Sequence, residues 1–298
     1  MANKASFIEI LEQGYTFKGD YITLGGAMFE KECLMGTMVN IPLKTMNRHG
    51  LIAGATGTGK STSLASMIGY RNYNSTGHII TIEDPIEYSF FNRLCIIEQR
   101  EVGIDTESFE VALRNTLRQA PDVILIGEVR TRETMEHAIT FSETGHLVLA
   151  TLHANNANQA MDRILHFFPD DMREQVLLDL SFNLKATIAQ QLIPSVDGSR
   201  RWAAFEVMMA TPLIKDLIRK GEIDELKLVM RDSGHHGMIT FDQCMFNMYK
   251  AGQISYDDAL RYADSSNEVR LMIKLDEGGD VETLTKGLEG VEILGDKI

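Results

Sequence analysis

The sequence predicts an α/β fold, a parallel sheet covered by helices on both sides, followed by a helical C-terminal subdomain. Three observations predict it. A glycine-rich loop, Gly54 to Thr62, lies between a short apolar run and a helical segment. From Leu51 onward, continuous apolar runs alternate with helical segments, the pattern of strands buried on both faces. Three of those runs end directly on carboxylates or an imidazole.

The loop reads Gly54-Ala55-Thr56-Gly57-Thr58-Gly59-Lys60-Ser61-Thr62 and fits the phosphate-loop pattern G-x-x-x-x-G-K-[ST]. Backbone N–H groups hold a nucleotide triphosphate, so bulky side chains must be absent where the chain curls around it. Gly57 and Gly59 permit that curl. Lys60 brings a point charge to the β- and γ-phosphates, and the Ser61 hydroxyl is a Mg²⁺ ligand. His49-Gly-Leu-Ile-Ala53 reads as the strand entering the loop. Ser63 to Tyr70 reads as the helix leaving it, with its positive N-terminal end toward the phosphates.

Residues 1–50 form a short leader, with a helix expected at Ser6–Glu12 and strands and turns from Tyr15 to Ile41 around Gly25-Gly26 and Gly36. Residues 51–205 are the expected core. Strands are expected at His78–Glu83, Val123–Gly127 and His146–His153, and helices at Ser108–Gln119, Thr131–Thr140, Asn158–Phe167 and Arg173–Leu192. Thr106 or Ser108 caps the first of these helices. Residues 206–275 are the helical subdomain, punctuated by turns at Gly221, Gly234 and Gly252. Residues 276–298 hold seven acidic residues against two lysines, and read as a mobile acidic tail.

In open parallel sheets, ligands sit beyond the carboxyl ends of the strands. Glu83, Asp84 and Glu87 follow the first expected strand, Glu128 the second and His153 the third. Hydrolysis of a phosphoanhydride needs a group to orient or deprotonate water and carboxylates to hold Mg²⁺, and Glu87 and Glu128 suit those roles. His153 is placed to sense the γ-phosphate, and His146, at the other end of the same run, is a secondary candidate. Arg114 and Arg118 share a helix face at i, i+4 and could reach phosphates of a neighbouring subunit or pair with surface acids.

Composition narrows the partners. The net charge is −13 and the sequence pI about 5.1, which disfavours a hold on DNA based on neutralising phosphates. No apolar run approaches the roughly 20 residues that span a bilayer, and no secretory signal is expected at the start. Cys33, Cys95 and Cys244 are far apart and read as buried thiols in a reducing compartment.

Several stretches carry a resemblance. They are Thr81-Ile-Glu-Asp-Pro-Ile-Glu-Tyr88, Arg100-Glu-Val-Gly103, Leu117 to Glu128, and Glu143-Thr-Gly-His146 through Asp162-Arg163. Over about residues 53–275 the chain resembles the secretion-type ATPases, and among them the PilT/PilU retraction motors of type IV pili. Thr131-Arg-Glu-Thr-Met-Glu-His137 and Arg270-Leu-Met-Ile-Lys274 resemble the PilU branch more than the PilT branch. The resemblance implies a RecA-like P-loop NTPase core and Mg-ATP hydrolysis. It also implies a hexameric ring working on the pilus machinery, or with a related motor ATPase, at the cytoplasmic face of the inner membrane. It places Lys60 and Ser61 on phosphate and Mg²⁺, Glu87 and Glu128 at water and metal, and His153 near the γ-phosphate. Arg163, within the last matching stretch, is a further candidate. Members of the family carry an N-terminal PAS-like domain that is not expected here. Residues 1–60, through Tyr15-Thr-Phe-Lys-Gly19 and Ile41 to Lys60, instead resemble the leader of HerA-like DNA-translocase ATPases. Three functions compete: a pilus or secretion motor, a DNA translocase, and an ATP-binding accessory subunit with little turnover.

Overall fold

The computed structural model describes residues 21–29, 32–42, 49–53 and 59–277. The helix expected at Ser6–Glu12, the loop residues Gly54, Ala55, Thr56, Gly57 and Thr58, and the acidic tail from residue 278 lie outside the described residues. The chain divides into two units, Met1–Leu192 with Ala203–Thr240, and Ile193–Trp202 with Phe241–Ile298.

In the first unit, β1 (Tyr21–Phe29) and β2 (Glu32–Pro42) pair antiparallel. Their register breaks between Thr23 and Gly25 and again between Gly26 and Met28, so the paired glycines mark bulges inside a strand and not a turn.

The main sheet has seven strands: β3 (His49–Ala53), β4 (Gly77–Glu83), β5 (Cys95–Glu101), β6 (Val123–Ile126), β7 (Leu147–Leu152), β8 (Ala186–Pro194) and β9 (Arg201–Met209). Their order is β5-β4-β6-β7-β3-β8-β9. Every pairing from β5 across to β8 is parallel. Parallel strands need covering on both faces, and the burial follows: all four residues of β6 and five of the six in β7 are buried.

The helices of this unit are α1 (Lys60–Asn74), α2 (Phe109–Thr116), α3 (Arg132–Glu143), α4 (Ala157–His166), α5 (Asp170–Asn183), α6 (Pro212–Lys220) and α7 (Leu226–Asp232). Local chemistry sets their ends. Ser108 caps α2 by accepting from the Val111 N–H at 3.2 Å, and Thr131 caps α3 through the Thr134 N–H at 3.3 Å. Thr211 caps α6, Pro212 opens it, and Gly221 at φ 75° closes it.

The stretch Arg173–Leu192 differs from expectation. Helix α5 stops at Asn183, and residues 186–194 form β8 instead. Ala186–Ala189 pairs with β3 and is wholly buried, so a place inside the sheet overrides the helical reading of a short apolar run. Two further strands, β5 and β9, flank the sheet where no strand was expected.

In the second unit, α8 (Phe241–Lys250), α9 (Tyr256–Arg261) and α10 (Ser266–Asp276) bury Phe241, Met245, Ala259, Val269 and Ile273. Ser255 and Ser265 cap the last two helices. The Arg200 guanidinium stacks 3.8 Å over the Trp202 ring centroid.

Candidate active site

Parallel pairing brings the carboxyl ends of β3, β4, β6 and β7 to one edge of the sheet. Strand β3 ends at Ala53, and α1 begins at Lys60. The residue preceding α1 is Gly59, at φ 84°, which has no side chain to cap the helix. The N–H groups that open such a helix suit an anionic ligand. The left-handed backbone at 59 favours glycine, and a Cβ there would also push aside the Gln190 amide nitrogen, which it would meet at 2.9 Å. Gln190, buried on β8, also accepts from the Ser63 hydroxyl at 2.6 Å.

Lys60 is only 9% exposed. Its ammonium donates to the Leu152 carbonyl at 3.3 Å and stands 3.5 Å from His153 Nδ1. His153 Nε2 pairs with Glu128 Oε1. Glu128 Oε2 accepts from Arg130, with Nη2 at 2.6 Å, and Arg130 Nη1 reaches Asp84 at 3.6 Å. Five ionisable side chains thus form one chain across the ends of β4, β6 and β7.

The electrostatics are consistent along it. Burial pushes the Lys60 pKa down, while the Glu128 and Glu87 carboxylates push it back up. Burial and then Lys60 lower the His153 pKa from its ordinary 6.5, against the opposing pull of Glu128. A neutral imidazole suits both neighbours: Nδ1 accepts from Lys60 and Nε2–H donates to Glu128. The hydrogen bond to Glu128 holds Arg130 firmly protonated.

The backbone beneath is tightly drawn. Gly127 N–H donates to the Ile82 carbonyl at 2.7 Å, and Thr151 donates to the Gly127 carbonyl. A Cβ on Gly127 would meet Glu83 Cα at 3.1 Å and the Ile82 carbonyl oxygen at 3.2 Å.

Around these groups lies a cavity of about 520 Å³. Gly59, Lys60, Ser61, Thr62, Glu83, Asp84, Glu87, Glu128 and His153 all line it, so the expected candidates at the strand ends converge. Tyr88, Phe90, Phe109, Arg130 and Thr151 line it too. The Tyr88 and Thr62 hydroxyls meet at 2.8 Å across its wall. Arg130 was legible in principle, two residues beyond Glu128; Gln190 was hidden in the stretch read as helix.

Other candidates stand elsewhere. His146 precedes β7 while His153 follows it, so the two lie at opposite edges of the sheet. His146 Nδ1 is 3.0 Å from both the Phe141 carbonyl and the Thr144 hydroxyl, which makes it part of the α3–β7 turn. Arg114 lies on α2 and Arg118 in the 3₁₀ turn after it, both exposed and neither lining the cavity. Arg163, on α4, sits 5.9 Å over the Phe167 ring and adds to the depression of the His153 pKa.

A sequence profile of the type II/IV secretion system protein family matches residues 31–241. The chain belongs to that family. The match starts at 31, inside the stretch likened to a HerA-type leader. The type IV pilus ATPase PilU of Pseudomonas aeruginosa is 62% identical over 250 residues, covering 83% of this chain and 65% of PilU. The type IV pilus retraction ATPase PilT of the same organism is 43% identical over 209 residues, 70% of this chain and 60% of PilT. The chain thus spans less than two thirds of either relative. A crystal structure of the pilus retraction motor PilT with bound ADP superposes with a TM-score of 0.70 at 43% identity, covering 75% of this chain and 63% of that one. The α/β architecture with a helix-flanked parallel sheet is the one this family shares, the RecA-like P-loop fold.

Proposed function

We propose that the chain is an ATP-hydrolysing motor of type IV pilus retraction, acting with Mg²⁺. The observation that carries the reading is the Lys60–His153–Glu128–Arg130 chain lining the same cavity as the start of α1. In this reading the first turn of α1 and Lys60 take the phosphates, and His153 responds to the γ-phosphate by exchanging its contact with Lys60. Glu128, already engaged by two cationic or donor partners, is poorly placed to accept a proton. Glu87, exposed in the cavity wall, orients the water.

The donor set suits Mg²⁺. Ser61 and Glu128 offer hard oxygens, and this ion is commonly carried by one or two carboxylates plus phosphate and water. Among the described residues no cluster of three or more His, Cys, Asp or Glu side chains stands ready for a metal, and such a cluster is not required. When bound, the ion would neutralise charge on the phosphates.

No helix among the described residues is long and apolar enough to cross a membrane. Residence at the cytoplasmic face of the inner membrane, a hexameric ring, and the division into a core at 51–205 and a helical subdomain at 206–275 belong to the same proposal. Similarity to PilU and PilT supports it.

Two variants test it. Lys60→Ala removes the charge that meets the phosphates, and ATP affinity or turnover should fall at least tenfold, about 1.4 kcal/mol. Glu128→Gln should still bind ATP while hydrolysis drops by roughly 10², because the lost charge loosens Mg²⁺, His153 and Arg130 from the positions the reaction needs. Parent-like binding and turnover in Lys60→Ala would sink the assignment. Turnover strongly stimulated by DNA would favour the translocase reading instead.

A further inference from the structure

Strand β5 lies at the edge of the main sheet and contributes no residue to the cavity wall. Along it, Cys95 and Ile97 are buried and Ile96 and Glu98 exposed, so Gln99 and Glu101 continue the inward-facing row. Both are polar, and both are spent on the segment that follows β4. The Gln99 carboxamide oxygen accepts from the Phe90 N–H at 2.9 Å. Its nitrogen donates to the Tyr88 carbonyl at 2.8 Å and to Glu83 at 3.3 Å. The Glu101 carboxylate accepts from the Ile86 N–H at 3.0 Å. Main-chain groups at 86, 88 and 90 are thus held by two side chains of one strand. Glu87 sits inside that span.

We infer that Gln99 and Glu101 are positioning residues that fix the backbone around Glu87 at the phosphate edge, and that they govern turnover without touching nucleotide. The inference rests on the proposed role of Glu87. The physical argument is one of accounting. A segment outside the sheet has no ladder to satisfy its main-chain groups, and without such partners it samples many conformations. Three hydrogen bonds from a strand confine it. Loss of geometry at a reacting group is expensive even when binding is intact, since a misplacement near 1 Å can cost on the order of 10² in rate.

The test uses the full chain, with ATP turnover and the affinity for a non-hydrolysable ATP analogue measured separately. Gln99→Met keeps the side-chain length and removes both hydrogen-bonding ends. Its kcat should fall by about tenfold or more, while analogue affinity stays within about twofold. A merely structural role is separated by a double-mutant cycle. In a Glu87→Gln background, Gln99→Met should cost less than about twofold further, because residues acting through one another are not additive. Persistence of the whole loss in that background overturns the inference, as does a parallel loss of analogue affinity. If Glu87→Gln itself turns over at the parent rate, the assigned role of Glu87 fails and the inference falls with it. That outcome is distinct from the additive one, which leaves the role of Glu87 standing. Should Gln99→Met not fold, Glu101 carries the test. Glu101→Leu cannot accept from Ile86, whereas Glu101→Gln can, so glutamine should restore most of the turnover that leucine loses. Equal losses in the two overturn the inference.

Discussion

At the scale of single residues, the candidate site sets an imidazole of lowered pKa between a cation and an anion. His153 holds its proton less tightly in the folded chain than its ordinary 6.5, because burial and Lys60 both disfavour the imidazolium. Well above pH 6.5 neither the folded nor the unfolded chain protonates it, and its effect on stability is nil. As pH falls below 6.5, the unfolded chain takes up the proton first, so stability declines towards the depressed folded value. His153→Gln should flatten that part of the profile. Urea midpoints of parent and variant at a series of pH values below 6.5 would show it, and parallel curves would contradict it. Lys60, Ser61, Glu87, Glu128 and His153 were legible because a motif or a strand end marks each of them. Tyr88, Gln99 and Gln190 act through tertiary contacts whose sequence separations give no local signal; the Ser63–Gln190 bond, for one, joins residues 127 positions apart.

At the scale of elements, the junction of β4 with β6 is tightly drawn. Gly127 leaves no room for a side chain, since its neighbours are the main chain of Ile82 and Glu83, which cannot rotate aside. Gly127→Ala should therefore destabilise the fold by about 1–3 kcal/mol, as overpacking does, and weaken turnover by displacing Glu128. Denaturant unfolding measures the first effect. An unchanged midpoint would mean that the strand ends yield. Elements were legible where apolar runs were long and bounded. β4, β6 and β7 fall close to their expected places, and the caps at Ser108 and Thr131 sit where side-chain oxygens precede a helical pattern. β5 alternates buried and exposed positions over only a few residues, and its polar end hides the period. β8 follows α5 after two residues, Leu184 and Lys185, with no glycine or proline to announce the change.

At the scale of the whole molecule, charge and composition constrain association. A net charge of −13 opposes binding to a phosphate backbone, so DNA should not stimulate ATPase activity at physiological salt. We propose that a neighbouring subunit completes the active site, with the exposed Arg114 and Arg118 opposite its cavity. ATPase activity should then rise more than linearly with protein concentration. A rate strictly proportional to concentration, from a species that stays monomeric with ATP, would count against this. The chain's one tryptophan adds an optical consequence. Trp202 belongs to the second unit, beneath Arg200, and every cavity-lining residue belongs to the first. Indole emission therefore reports on the start of β9 and its stack with Arg200, while backbone ellipticity averages over every helix and strand. Melting curves followed by emission and by backbone ellipticity need not coincide. Their separation would show, without a label, that the surroundings of Trp202 come apart at a different point from the bulk of the secondary structure.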